Sequence, residues 1–178
     1  MRLVLIRHAE AEDAGLGGDA ARRLTEQGRR RFRRAARGLA ALDVKFDLVL
    51  HSPLARATET AALLAKLVDG PLRAELLLAA PPGAALLAAL AALDAPGISG
   101  AADAPGGPAT VGCVGHEPWL GQLAVILCAR RADDATSAFE LALDKGGAIT
   151  LAGRARPGGM RLEALYPARS LRRLRRWT

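Results

Sequence analysis

Aromatic side chains are nearly missing, at 3% of the 178 residues. That scarcity removes the stacking platforms on which nucleic-acid binders hold bases. A net charge of +7, carried almost wholly by arginine, would otherwise invite a phosphate-backbone partner. It reads instead as a solvated helix face, and no nucleic-acid partner is expected. Cysteine is equally scarce. Cys113 and Cys128 stand in apolar contexts without paired spacing, which suits buried thiols in a reducing compartment and speaks against a disulfide or a metal clip. No apolar run reaches the length of a membrane span, and Arg2 leading into a strand is not a signal peptide, so no membrane partner and a cytoplasmic location are expected.

What is abundant is leucine, alanine and valine, which build a helix-rich core. The length suits one domain, residues 1–178, and is too short for two comfortable ones. Leu3-Val4-Leu5-Ile6 is a continuous apolar run that reads as a strand buried on both faces, ending at Arg7-His8-Ala9-Glu10. Residues 11–23 form a polar loop. Thr25 then caps a helix over about 25–42, with Phe32, Ala35, Ala36 and Leu39 inward and Arg29, Arg30, Arg33, Arg34 and Arg37 outward.

The second strand, Asp47 to His51, runs into Ser52-Pro53, which predict an N-cap and first-turn proline of a helix with Ala57, Ala61, Leu64 and Val68 buried. A short third strand falls near Leu72–Ala74 and a Leu/Ala helix over 84–93. Residues 94–108 read as a flexible surface loop. Thr110–Val114 is the fourth strand, Gly115-His116-Glu117 a tight turn, and Pro118 opens a helix with Leu120, Ala124 and Leu127 inward. Two strands, about 147–152 and 160–165, precede a basic tail over about 168–178. Strands alternating with helices predict an α/β fold, three layers α/β/α around a mainly parallel sheet.

In such a sheet the carboxyl ends of the strands share one edge, so Arg7-His8, Ser52 to Arg56 and Gly115-His116 converge there. Two arginines and two histidines around one spot are costly to bury without an anion, and a phosphate-like dianion is their natural occupant.

Arg7-His8-Ala9-Glu10, then Ser52-Pro53-Leu54-Ala55-Arg56-Ala57-Thr58-Glu59-Thr60, then Val114-Gly115-His116 resemble the three signatures of the histidine phosphatase superfamily, with its phosphoglycerate mutase-like fold. The short length, Leu24-Thr25-Glu26-Gln27-Gly28 and Asp144-Lys145-Gly146-Gly147-Ala148 are similar to its SixA-type phosphohistidine phosphatase branch. The resemblance implies a phosphatase without metal or cofactor, in which neutral His8 is the nucleophile and Arg7, Arg56 and His116 bind the phosphoryl oxygens. It implies as partner a phosphohistidine protein, or alternatively a small phosphorylated metabolite. A non-catalytic phosphate-binding module is the reading from another class. Ala9 stands where the superfamily usually has glycine.

The general acid is less legible. The resemblance implies a glutamate just after the third strand, where Glu75 is the candidate, and Glu10 is the fallback; weak acid equipment favours a P–N substrate, because imidazole leaves more readily than an alkoxide. Among the remaining polar residues, His51 reads as structural, Ser52 as a helix cap, and Glu59 as a group orienting Arg56, with Thr58 facing the same way. Trp119 either walls the pocket or joins the core. Lys145 faces the site or solvent, and Cys113 is buried and inert.

Overall fold

The computed structural model describes residues 1–14, 17–94, 109–129 and 141–174. Within them lies a six-stranded sheet: β1 (Arg2–Arg7), β2 (Leu48–His51), β3 (Leu72–Ala74), β4 (Thr110–Gly115), β5 (Ala148–Gly153) and β6 (Met160–Tyr166). The spatial order is β3-β2-β4-β1-β5-β6. The first four strands are parallel, whereas β5 and β6 join antiparallel beside β1. The short link at 154–159 is what permits that hairpin, since a parallel return needs a long crossover.

Helices cover both faces, giving three layers. Alternate residues of β1 serve the two sides: Val4 and Ile6 pack with α1 (Glu26–Ala41) and α2 (Ala55–Ala62), Leu3 and Leu5 with α3 (Ala84–Leu93) and α4 (Trp119–Cys128). All four are fully buried, each stabilising the fold by about 2 kcal/mol. Thr25 caps α1, its hydroxyl accepting from the Gly28 N–H at 2.9 Å. Among the described residues no helix is long and apolar enough to cross a membrane.

Two expectations are corrected. The helix after β2 does not begin at Ser52-Pro53: Leu54 is its extended N-cap and helix starts at Ala55, because the Ser52 hydroxyl is engaged by His116 and by the Leu54 N–H. Ala57, Ala61 and Leu64 are buried as expected, but α2 stops at Ala62 and Val68 bridges to Phe46. The basic tail is not wholly a tail. Ala168–Leu171 form a short helix, α5, whose Ala168 and Leu171 bury against the sheet and α1. The crossing is close: a side chain at Gly38 of α1 would overlap the Leu171 carbonyl. Of the expected loop at 94–108 and the tail, residues 95–108 and 175–178 lie outside the described residues.

Candidate active site

Strand register assembles the site. Arg7 pairs with Gly115, and His51 lies between Val114 and Ala74, so four parallel strands end level. The backbone ladder runs one residue further: the His8 N–H donates to the Gly115 carbonyl at 3.0 Å, that of Ser52 to Val114 at 2.9 Å, and that of Glu75 to His51 at 2.8 Å. His8, Ser52, Glu75 and His116, each one residue past its strand, therefore line a single edge.

His8 is 6% exposed, and its ring centroid lies 5.1 Å from that of His116. Its Nδ1 is 2.7 Å from the Ala9 carbonyl oxygen. A carbonyl only accepts, so Nδ1 carries the proton and Nε2 carries the lone pair. Burial is the main reason its pKa falls to about 3, with the positive charges of Arg56 and Arg7 adding to it; the Ala9 hydrogen bond opposes the shift. The ring is neutral at physiological pH, with a lone pair on Nε2.

Arg7 closes β1, its Nη1 donating to the Leu143 carbonyl at 2.7 Å. Arg56, on the first turn of α2 and 6% exposed, donates from Nη1 to the Asp19 carbonyl at 2.7 Å and from Nη2 to the Asp19 carboxylate at 2.9 Å. Arg22 first, then Arg56, hold the Asp19 carboxyl below its ordinary pKa. His116 Nε2 sits 2.8 Å from the Ser52 hydroxyl. Burial, then Arg56, lower the His116 pKa to about 4. The Ser52 hydroxyl accepts from the Leu54 N–H and is free to donate to Nε2 of a neutral ring, the tautomer that leaves the proton on Nδ1. Among the described residues Arg7 Nε, Arg56 Nε and His116 Nδ1 are buried without a hydrogen-bond partner. Three orphaned buried donors beside one lone pair form an arrangement that a tetrahedral oxyanion satisfies.

Two supports escaped the sequence reading. Thr60, fully buried, accepts from the Ala9 N–H at 3.0 Å and donates to the Arg56 carbonyl at 2.6 Å, tying the His8 loop to α2. Asp19 is the residue that orients Arg56, which corrects the expectation for Glu59. The Glu59 carboxylate binds Arg23 Nε at 2.7 Å, Arg29 Nη2 at 2.7 Å and the Leu24 N–H at 2.9 Å, pinning the loop before α1. Nothing in the local pattern marked Asp19, which is distant in sequence; Thr60 lay within a quoted motif, one helical turn after Arg56.

The other candidates separate cleanly. Glu75 stands at the site edge with its carboxylate accepting from the Leu77 N–H at 3.1 Å. Glu10 pairs with Arg31 at 2.9 Å. His51 is buried with Nδ1 2.9 Å from the Ser52 carbonyl, a structural contact, and exposed Thr58 lies beside it rather than by Arg56. Ser52 is a partner of His116, not a helix cap. Trp119 is half-buried, edge-on to His116 at 6.0 Å. Lys145 is exposed. Burial pushes the Cys113 thiol up to about 12, so it is inert.

Residues 3–79 match the family model of the histidine phosphatase superfamily (branch 1). The mitochondrial serine/threonine-protein phosphatase Pgam5 of Drosophila erecta is 36% identical over 67 residues, 38% of this chain and 23% of that protein. The chain thus spans under a quarter of the length of those relatives. An uncharacterised protein of Picosynechococcus sp. is 34% identical over 167 residues, covering 92% of this chain and 90% of its own.

Among solved structures, the protein histidine phosphatase SixA complexed with tungstate has a TM-score of 0.76 at 22% identity, covering 96% of this chain and 99% of that one. Mycobacterial glucosyl-3-phosphoglycerate phosphatase has a TM-score of 0.67 at 20% identity, covering 93% and 98%. These two establish the phosphoglycerate mutase-like fold. From the family match, the full-length relative and the site motifs together, this chain belongs to the histidine phosphatase superfamily.

Proposed function

We propose that this chain is a phosphatase that passes the phosphoryl group through His8, and that its substrate is phosphohistidine on a protein. The observation that carries the reading is the His8 ring: neutral, its Nδ1–H held by the Ala9 carbonyl and its Nε2 lone pair free among buried donors. Nε2 attacks phosphorus as the bond to the leaving group breaks, and the leaving group departs with that electron pair and takes up a proton. Arg7, Arg56 and His116 hold the three equatorial oxygens through the loose transition state. The Ala9 carbonyl stabilises the cationic ring as the P–N bond forms. Water then attacks the phosphohistidine, releasing phosphate and restoring neutral His8.

The choice of substrate rests on the leaving group. One oxygen of Glu75 accepts from the Leu77 N–H and Glu10 is paired with Arg31, so the acid equipment is weak, with Glu75 the better placed of the two. An imidazole leaving group makes the smaller demand. Likeness to SixA along the whole chain supports the same substrate. The second reading, a small-molecule phosphomonoesterase, draws on the equally complete likeness to a glucosyl-3-phosphoglycerate phosphatase.

Phosphate release from a phosphohistidine protein and from a panel of phosphate esters, with His8→Ala alongside, tests both. Preference for the protein substrate, lost in the variant, supports the proposal, and preference for esters supports the second reading. No release from either leaves a phosphate-binding module.

A further inference from the structure

Beside Arg7 lies a cavity of about 380 Å³, bounded by the start of α1, the turn before β5 and α5. That volume holds a ligand group of several heavy atoms. Its walls include Arg7, Arg31, Lys145 and Arg172 against Glu10 and Asp144. Arg31 and Glu10 neutralise one another at 2.9 Å. Among the described residues Lys145 and Arg172 make no ion pair, so the cavity keeps an excess of positive charge. These cations come from segments far apart in sequence. Arg172 reaches the cavity because α5 folds back onto α1, where Leu171 is buried against Gly38. Arg7, whose charge acts on His8, also lines it, so a group seated there shares that arginine with a phosphoryl group on His8.

We propose that this cavity is a second anion subsite, taking a carboxylate that the substrate carries beside its scissile phosphoryl group. The proposal rests on the phosphatase reading and deepens it: the favoured substrate is doubly anionic. One chemistry has two sources, an acidic side chain flanking a phosphohistidine or the carboxylate of a small phosphorylated acid. Lys145 and Arg172 set specificity here and stand outside the phosphoryl-binding group.

Two matched pairs of probes test it: phosphohistidine peptides with Asp or Asn beside the modified residue, and 2-phosphoglycolate against ethyl phosphate. The wild-type protein is expected to favour the acidic member of at least one pair about tenfold, through KM rather than kcat. Lys145→Gln with Arg172→Gln is expected to reduce that preference to about twofold while leaving the neutral member unchanged. A preference in the peptide pair identifies a protein carboxylate, one in the ester pair a metabolite carboxylate. Turnover without preference in either pair overturns the subsite while leaving the phosphatase intact. If nothing is turned over, the phosphatase reading fails on its own. Calorimetric binding of 2-phosphoglycolate against ethyl phosphate then decides the subsite: tighter binding of the acid, lost in the double variant, supports it, and equal binding overturns it.

Discussion

Mild acidification should destabilise this protein through two buried imidazoles. His8 and His116 have folded pKa values of about 3 and about 4, against 6.5 when exposed. Between those limits the unfolded chain binds protons that the folded chain refuses, so stability rises with pH across the window and is lost as pH falls below 6.5. At about pH 5.5 each ring costs on the order of 1 kcal/mol relative to about pH 7.5, a figure insensitive to the folded pKa once that lies well below 5. The two together cost about 2–3 kcal/mol, a large share of a typical domain's stability. The assay is urea denaturation at both pH values in phosphate-free buffer, since a bound anion would stabilise the charged rings. His8→Gln should remove about half of the pH-dependent loss, and adding His116→Gln most of the remainder. The Asp19 carboxyl, held low by Arg22 and Arg56, contributes only below the two assay pH values. An unchanged pH dependence in His8→Gln would refute the claim that its burial keeps the ring neutral.

Three further outcomes follow from named contacts. Arg56→Ala should weaken vanadate binding at least tenfold by titration calorimetry, since it removes a buried donor from the oxyanion group; unchanged affinity removes Arg56 from the pocket. Thr60→Val keeps the shape but leaves the Ala9 N–H unsatisfied, costing about 1–3 kcal/mol, which calorimetric melting reads as a fall of several degrees; an unchanged melting temperature would contradict the link. Glu75→Gln should slow hydrolysis of phosphate esters more than of phosphohistidine in steady-state assays, and equal losses would contradict the leaving-group argument.

Much of this architecture was legible from periodicity. The buried run of β1, the Thr25 cap and the inward stripe of α1 are local patterns, and the structure repeats them. Convergence of His8, Arg56 and His116 followed from strand direction, because residues just past parallel strands share an edge. Asp19 was illegible because its contact with Arg56 spans 37 residues and depends on how an irregular loop closes. Ser52 misled for a related reason: Ser-Pro is a strong local cap signal, yet the hydroxyl found a partner 64 residues away in His116. The C-terminal helix was hidden by its charge; Ala168 and Leu171 are too few to give a periodic signal among arginines. A carboxylate's role as acid depends on side-chain direction, which no spacing reveals.

The central claim is that the phosphoryl group resides on Nε2 of His8 during turnover. Rapid quenching into base during hydrolysis, followed by mass spectrometry and phosphorus NMR, reads that bond, since phosphohistidine survives base and not acid. The account predicts an Nε2-phosphorylated His8 that accumulates and decays with turnover and is missing in His8→Ala. Turnover with no phosphoenzyme, or with phosphate on His116 or His51, would contradict it.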